Sequence, residues 1–390
     1  MNDGLMILET AFLLITSLAF ALGFTWLKQP PLLGYIAAGI LLGPSFVKLI
    51  QYSPALEFLG EMGVLMLLFV VGQELDLHHF KKIWKKAISC IFLQLLTSFI
   101  IAFSLQACFG FSNDFRTLLI FVRTLSSTAI AVKLLEEMGE LNSQRGSLTV
   151  SILIAQDLSL IPMILILKGL GGESVKSLIL IKLAISISCL FLLIKYLTKE
   201  SNRILNPLKN IFQGSQETMT LAGVTVCFVF GAISGMLGLS HAYGSFLGGL
   251  ILGSFGNKKE ILQFLMPISS MLIMIFFLSV GSNLQVDYLM KNSFLLLSAT
   301  FAVILGKTLI NYTILRFLNC TKEDSIFIAM NLSQFSEFSF SLVAIFSQVA
   351  FLSLENKNFL NALIVLSLTF GSIWPIIGRT FLNRNKVIEQ

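Results

Sequence analysis

The residues best suited to chemistry are ionisable side chains inside long apolar stretches. Asp157 stands at the middle of the apolar stretch 146–168, directly after Gln156. If this stretch crosses a bilayer as a helix, a charge there costs about 2.5–3.5 kcal/mol and indicates a functional role. Pro162 lacks an N–H and leaves the carbonyl of Leu158 without its usual helical partner. A carboxylate beside a free carbonyl suits a small alkali cation, and a structural aspartate is the alternative.

A second polar cluster occupies the centre of the apolar stretch 115–137. It contains four hydroxyl residues that follow Arg123: Thr124, Ser126, Ser127 and Thr128. Hydroxyls can coordinate an ion or replace backbone partners where a membrane helix is interrupted. They can equally bond to their own helix. No Gly or Pro marks a break here, so the residue types alone leave both readings open.

A third cluster lies in the apolar stretch 324–350 and contains Asn331, Ser333, Gln334, Ser336, Glu337 and Ser339. Lys307 lies inside the neighbouring stretch 293–316. Two acids, Asp157 and Glu337, thus stand against two bases, Arg123 and Lys307, and their formal charges cancel. Ion pairs that only hold helices together are the structural alternative for Lys307 and Glu337.

The amino-acid composition indicates which secondary-structure elements must position these residues. The chain has 390 residues, of which 55% are hydrophobic and 12% charged, and its mean hydropathy is +0.86. Soluble domains carry roughly 25% charged residues. Apolar runs of about 20 residues, each long enough to cross a bilayer as a helix, recur along the whole sequence. These features exclude nucleic-acid binders, soluble enzymes and disordered regulators as first interpretations.

The apolar runs predict an all-α polytopic membrane protein with about 13 transmembrane helices. The predicted spans are 5–26, 30–48, 57–75, 86–109, 115–137, 146–168, 175–197, 217–238, 240–256, 260–283, 293–316, 324–350 and 358–381. Most Lys and Arg residues between spans follow odd-numbered ones, which predicts an outside N-terminus and a cytoplasmic C-terminus. Because no basic segment precedes the first apolar run, we expect that run to be retained as a span.

The order of the clusters predicts internal symmetry. Spans five and six resemble spans twelve and thirteen, because each pair has a central polar cluster followed by a helix with one proline, Pro162 or Pro375. An offset of seven spans inverts the orientation. Two inverted repeats with discontinuous helices are typical of secondary transporters.

Other chemistry is not indicated. The five cysteines have no close spacing and are expected to be free thiols. Gly306-Lys307-Thr308 lacks the first glycine of a phosphate loop, and neither a zincin signature nor a nucleophile elbow occurs. We therefore expect no enzyme, no cofactor and no metal beyond a transported monovalent cation.

Several motifs, in order along nearly the whole chain, resemble the monovalent cation:proton antiporter family. They are QPPLLGYIAAGILLGPS (29–45), LLFVVGQELD (67–76), TLSSTAIAVKLLEEMGELNSQRG (124–146), LIAQDLSLIPM (153–163), GLSHAYGSFLGGLILG (238–253), FFLSVGSNL (276–284) and QFSEF (334–338), together with Lys307. Gln156-Asp157 is similar to the Kef-type potassium–proton branch of the second antiporter group. Electrogenic sodium–proton members carry Asp-Asp at that place.

The resemblance implies that Asp157 binds a cation and a proton in turn, beside Gln156. It implies that helices five and twelve are broken and cross there, with Thr124, Ser126, Ser127 and Thr128 at the crossing. Lys307 and Glu337, with Gln334 and Arg123 nearby, would be the charged and polar partners of the broken ends. A core (86–168 and 293–381) would move against a homodimeric scaffold (5–75 and 217–283) joined by a linker helix (175–197).

Three features depart from the family pattern. Arg123 replaces a small or apolar residue and could repel the transported cation or pair with Asp157. Ser336 replaces the glycine before Glu337. We expect the nucleotide-binding regulatory domain that is common in Kef-type proteins to be missing, and a separate soluble regulatory subunit is one alternative.

Together these features predict an inner-membrane exchanger of a monovalent cation for a proton, with potassium favoured and no net charge moved. A proton and a cation would compete for one carboxylate. Sodium, or mixed sodium and potassium, is the alternative substrate. A cation channel and a non-transporting sensor subunit are the alternatives from other classes.

Overall fold

A computed structural model describes residues 2–27, 29–49, 54–74, 77–110, 112–141, 143–170, 215–237, 241–254, 258–349 and 352–388, and also Ser188 and Leu192. Apart from short connections these residues are helical, and no strand occurs among them. The predicted linker helix 175–197 lies outside the described residues except for Ser188 and Leu192, which are both helical.

The described residues form fifteen helices, of which two pairs correspond to single predicted spans. The helices are α1 (Asn2–Trp26), α2 (Pro31–Leu42), α3 (Pro54–Glu74), α4 (Leu77–Phe109), α5 (Asn113–Thr124), α6 (Thr128–Glu137), α7 (Gln144–Leu170), α8 (Gln216–Met236), α9 (His241–Gly253), α10 (Lys258–Ser282), α11 (Val286–Lys291), α12 (Ser293–Phe317), α13 (Lys322–Asn331), α14 (Phe338–Val349) and α15 (Leu354–Ile388).

Length and composition make this a multi-pass membrane protein. Among the described residues, seven helical segments are long and apolar enough to cross a bilayer: Ile7–Trp26, Lys85–Cys108, Gln144–Leu167, Gln216–Met236, Glu260–Ser282, Ser293–Phe317 and Leu354–Gly378. Shorter apolar segments are Pro31–Leu42, Phe58–Gln73 and Phe338–Gln348. The total of about thirteen spans stays a prediction.

The span predicted over 30–48 was too long, because its helix ends at Leu42, where Gly43 and Pro44 begin a turn. The spans 115–137 and 324–350 are each divided in two, at 125–127 and at 332–337, as the family resemblance implied. By contrast, Pro162 and Pro375 lie within the continuous helices α7 and α15. Proline residues therefore do not mark where these membrane helices break.

The chain divides into two compact units. The first contains Met1–Ala19, Tyr35–Lys81 and Ile164–Asn283, and the second contains Phe20–Gly34, Lys82–Met163 and Leu284–Gln390. All ten predicted site residues, from Arg123 to Glu337, belong to the second unit. Their positions are therefore set by α4–α7 and α12–α14.

The first unit is held together by close approach of helix backbones. A Cβ atom added at Gly249 of α9 would lie 1.9 Å from the carbonyl oxygen of Phe69 on α3. One added at Gly253 would lie 2.3 Å from the carbonyl oxygen of Gln73. Small residues at four-residue spacing allow such contact between membrane helices. Around this crossing pack fully buried side chains that include Met66 and Phe69.

Gly249→Ala should destabilise the protein, because the new methyl group meets backbone that cannot rotate away. Over-packing of this kind costs typically about 1–3 kcal/mol. The expected result is a lower midpoint of thermal denaturation in detergent. Gly306→Ala is the matched control, since a Cβ there meets nothing within 4 Å and Ala favours helix. An unchanged midpoint for Gly249→Ala would contradict the close packing of α3 and α9.

Candidate functional site

The interruption between α5 and α6 is built by side chains that replace helical hydrogen bonds. Leu125 leaves the helix with an extended backbone (φ −73°, ψ 145°). The N–H of Ser126 donates to Oε1 of Gln156 at 2.9 Å. The N–H of Ile130 donates to Oγ of Ser127 at 3.3 Å, which gives α6 a hydroxyl at its start. Neighbouring helices thus satisfy the backbone that the break exposes.

The interruption between α13 and α14 follows the same principle. Phe335 donates its N–H to Oγ of Ser367 on α15 at 3.3 Å, and Phe338 donates to Oγ of Ser336 at 3.2 Å. Ser126 donates its hydroxyl to the carbonyl oxygen of Leu332 at 2.9 Å. That bond joins the two interruptions directly.

Lys307 of α12 connects both broken helices. Its Nζ donates to the carbonyl oxygen of Leu125 at 2.6 Å, to Oγ of Ser126 at 3.1 Å and to the carbonyl oxygen of Gln334 at 2.9 Å. The side chain is 4% exposed. Because the C-terminal ends of α5 and α13 carry partial negative charge, an ammonium group is favourable there. The three donors of Lys307 therefore go to the broken ends and not to Glu337.

Asp157 has one carboxylate oxygen committed and one without a partner. Its side chain is 3% exposed, and Oδ2 accepts the hydroxyl proton of Thr128 at 2.9 Å. Oδ1 is buried and has no hydrogen-bond partner among the described residues. A buried carboxylate must be neutralised, and neither Arg123 nor Lys307 forms an ion pair with it here. A proton or a cation at Oδ1 would supply the missing charge.

Further buried oxygen atoms lie on the second pair of broken helices, α13 and α14. Glu337 is 3% exposed, and its carboxyl is near enough for its charge to interact with that of Asp157. On the same pair of broken helices, three further buried atoms lack partners within the described part of the chain: Oδ1 of Asn331 and the Oγ atoms of Ser339 and Ser341. Carboxylate, amide and hydroxyl oxygens are the hard ligands that alkali cations accept.

The other predicted ligands are occupied with the framework. Gln156 donates Nε2 to Oε1 of Gln94 at 2.9 Å while its own oxygen receives Ser126. Thr124 donates its hydroxyl back to the carbonyl of Ile120 at 2.7 Å. Thr128 is thus the predicted hydroxyl that bonds to Asp157, while Thr124, Ser126 and Ser127 shape the break. Gln156 fixes the loop rather than pointing a free amide oxygen at an ion.

Sequence reasoning missed Gln94 and Asn311. Nε2 of Gln94 donates to Oδ1 of Asn311 at 2.9 Å, and Nδ2 of Asn311 donates to the carbonyl of Leu332 at 3.2 Å. These amides complete a chain of hydrogen bonds from Gln156 to the second interruption. The signal was present, because Asn311 lies one helical turn after Lys307 and so on the same face of α12.

Arg123 does not pair with Asp157. Its Nη1 donates to Oγ of Ser98 on α4 at 2.8 Å. The hydroxyl of Thr124 lies 3.1 Å from the same Ser98 oxygen. Within the described residues, the ion pair joins Arg145 to Glu140 and involves neither Arg123 nor Asp157. The sequence alternative of an Arg123–Asp157 pair is therefore wrong for this structure.

Comparison with known proteins gives one family and several relatives. The family model described as sodium/hydrogen exchanger, transmembrane, matches residues 11–379. The iron transporter MagA of Paramagnetospirillum magneticum is 37% identical over 350 residues, which cover 90% of this chain and 80% of MagA. A glutathione-regulated potassium-efflux system protein of Haemophilus influenzae is 27% identical over 388 residues, 97% of this chain and 62% of that protein.

A solved structure establishes the fold class. The sodium proton antiporter MjNhaP1 from Methanocaldococcus jannaschii matches with a TM-score of 0.66 and 14% identity, over 95% of this chain and 96% of that one. The present chain spans less than two thirds of the Haemophilus protein's length. The fold is thus of antiporter type, as the sequence predicted.

Lys307→Met should destabilise the second unit strongly, because the carbonyls of Leu125 and Gln334 lose a charged donor. Each buried group left unpaired costs about 1–3 kcal/mol. We expect a clearly lower thermal midpoint of the purified protein in detergent. Lys291→Met removes an exposed lysine from α11 and serves as the control. Equal midpoints for the two variants would show that Lys307 does not hold the broken helices.

Proposed function

Because the chain belongs to the sodium/hydrogen exchanger transmembrane family, we propose that it exchanges a monovalent cation for a proton by alternating access, with potassium favoured. Asp157 carries both ions in turn. The observation that supports this role is the unpartnered Oδ1 of a buried carboxyl whose other oxygen is held by Thr128.

The exchange follows from neutralisation of one carboxylate. In a low-dielectric interior, an ionised and unpaired carboxylate is costly, so Asp157 is stable only with a proton or a cation bound. The two ions need the same oxygen, and each excludes the other. If the core reorients only when the charge is neutralised, import of one ion requires export of the other.

The coupling is one proton for one monovalent cation. Gln156 is uncharged, so the pair at 156–157 contributes a single negative charge. Loading with H⁺ or with K⁺ then gives the same net charge, and a full cycle moves none across the membrane. Glu337 is close enough for its charge to interact with that of Asp157, and the proposed cycle uses the carboxyl of Asp157 alone.

The identity of the transported cation is the most specific part of the proposal. The Haemophilus relative is named for potassium efflux, and relatives from Arabidopsis thaliana are named K(+) efflux antiporters. MagA is named an iron transporter. A ferrous ion would leave one positive charge uncompensated at a single carboxylate, whereas K⁺ or Na⁺ leaves none. Sodium, alone or with potassium, is therefore the nearer alternative.

The architecture that serves this cycle has about thirteen spans in two inverted repeats. The divided helices α5–α6 and α13–α14 support that symmetry, because each supplies one interruption to the contact at Ser126 and Leu332. The core (86–168 and 293–381) carries the ions, and the scaffold (5–75 and 217–283) forms a homodimer. The N-terminus lies on the outer side of the inner membrane. The C-terminus lies in the cytoplasm, where a soluble regulatory subunit can bind.

Asp157→Asn should abolish exchange, since an amide does not take up a proton near neutral pH and has no negative charge for a proton and a cation to neutralise in turn. In proteoliposomes with a trapped pH dye, potassium, sodium, lithium and ferrous salts are added separately to wild type and variant. Wild type should respond most to potassium. Asp287→Asn, at an exposed acid of α11, is the control and should keep the wild-type rate. Cation-driven proton flux in Asp157→Asn would overturn the assignment, and voltage-driven cation flux without proton movement would indicate a channel.

Exchange should produce no current. On a solid-supported membrane, a potassium step should give no transport current from proteoliposomes whose pH dye responds to the same step. The reason is that H⁺ and K⁺ neutralise the same single carboxylate. A current that scales with the dye signal and disappears in Asp157→Asn would contradict one-for-one coupling, and would indicate a second titrating group such as Glu337.

A further inference from the structure

Three buried side-chain amides of the second unit, here called the amide relay, connect the two helix interruptions. They are Gln94 of α4, Gln156 of α7 and Asn311 of α12, which are 4%, 0% and 3% exposed. The N–H of Ser126 donates to Oε1 of Gln156 at 2.9 Å. Nε2 of Gln156 donates to Oε1 of Gln94, and Nε2 of Gln94 donates to Oδ1 of Asn311, each at 2.9 Å. Nδ2 of Asn311 donates to the carbonyl oxygen of Leu332 at 3.2 Å.

The two ends of the amide relay fix the orientation of every amide in it. A backbone N–H can only donate a hydrogen bond, and a backbone carbonyl can only accept one. Each side-chain amide must therefore accept with its oxygen on the side of Ser126 and donate with its nitrogen on the side of Leu332. If one amide rotated by half a turn, donor would face donor on one side and acceptor would face acceptor on the other. A single arrangement thus preserves all four hydrogen bonds.

A direct contact between the interruptions closes the amide relay into a ring. Oγ of Ser126 donates to the same carbonyl oxygen of Leu332 at 2.9 Å. Hydrogen bonds in such a chain polarise one another, and a buried polar network whose members are all satisfied is rigid. The ring therefore holds the backbone of Ser126 in one position relative to the second interruption.

A buried amide in the first unit provides the contrast. Gln73 of α3 is 0% exposed, and neither its Nε2 nor its Oε1 has a hydrogen-bond partner among the described residues. An unpaired buried amide only adds a desolvation cost, so an apolar side chain of similar length should replace it without loss of stability. Replacement of Gln94 would instead leave Nε2 of Gln156 and Oδ1 of Asn311 without their present partners. Gln73 is therefore a matched control for Gln94.

The amide relay reaches Asp157 through the start of α6. Gln156 holds the N–H of Ser126, and Thr128 follows two residues later as the first residue of α6. The hydroxyl of Thr128 donates to Oδ2 of Asp157 at 2.9 Å. A hydrogen bond donated to a carboxylate favours the ionised form, which is the form that a cation can bind. A displaced Thr128 would therefore weaken the cation in its competition with the proton.

We propose that Gln94 is a positioning residue for cation binding at Asp157, although its own amide bonds to Gln156 and Asn311. It holds the amide of Gln156 in one orientation, which fixes the interruption and places the hydroxyl of Thr128 on the carboxyl. Asn311 completes the amide relay and has the same role. The effect on transport rests on the proposed exchange at Asp157, whereas the amide relay itself does not.

Gln94→Met removes the amide and keeps the length of the side chain. In proteoliposomes with a trapped pH dye, the potassium concentration for half-maximal exchange should rise about three- to tenfold, which corresponds to the loss of one ordinary hydrogen bond. The maximal rate should stay near the wild-type value, because the carboxyl of Asp157 is intact. Gln73→Met should change neither quantity. A wild-type half-maximal concentration in Gln94→Met, or a loss of maximal rate alone, would overturn the positioning role.

A double-mutant cycle tests the amide relay without transport. Gln94→Met, Asn311→Leu and the double variant are compared by thermal denaturation of the purified full chain in detergent. Because the two substitutions remove one shared hydrogen bond, the double variant should lose clearly less stability than the sum of the single losses. Gln73→Met combined with Asn311→Leu should be additive. Additivity of Gln94→Met and Asn311→Leu would overturn the proposal.

The possible failures are distinguishable. If wild type shows no exchange that depends on Asp157, the proposed function is wrong and the stability cycle still decides the amide relay. If exchange is intact and Gln94→Met behaves like Gln73→Met in both measurements, the amide relay is wrong and the exchange at Asp157 stands. If a single variant does not fold, deuterium exchange of wild type decides: the N–H of Ser126 should exchange as slowly as those within α5, and rapid exchange would overturn the proposal.

Discussion

The hydrogen bonds from Nζ of Lys307 are the interaction on which the rest of the second unit depends. Two helices end inside an apolar unit at Leu125 and near Leu332, where their last carbonyls have no helical partner. One ammonium group reaches the carbonyl oxygens of Leu125 and Gln334 at 2.6 and 2.9 Å. The free-energy cost of breaking both helices is reduced because a single buried ammonium group donates hydrogen bonds to both ends. The same hydrogen bonds offset part of the free-energy cost of burying the ammonium group.

The candidate ion site is a product of these breaks. An unbroken α5–α6 helix would commit the N–H of Ser126 to its own backbone, and Gln156 would lose the contact that fixes the loop. Thr128 begins α6 after the interruption, and its hydroxyl then faces Asp157. Oδ1 is left without a partner in the described structure. The framework uses most of its polar groups for its own support and leaves this oxygen, with Oδ1 of Asn331 and the Oγ atoms of Ser339 and Ser341, without a partner in the described residues.

The sequence predicted the helical membrane fold, the family and the central place of Asp157. The match to the exchanger family and the antiporter fold confirm the first two. The breaks could not be derived from residue types, because neither 125–127 nor 332–337 contains Gly or Pro and the freed backbone is satisfied by residues distant in sequence, such as Ser367. Gln94 was missed because a lone amide in a span gives no sign of its partner until the helices pack, whereas Asn311 could have been found from its position one helical turn after Lys307.

The formal charges of the buried ionisable residues sum to zero, but this sum did not predict which side chains pair. Asp157, Glu337, Arg123 and Lys307 cancel formally, which favoured mutual ion pairs as the structural alternative. The structure instead gives Lys307 to helix ends and Arg123 to Ser98. Helix ends contribute partial charges that formal counting omits. Once they offset Lys307, Asp157 keeps no basic partner from this set, as the proposed exchange of a proton for a cation at this carboxyl requires.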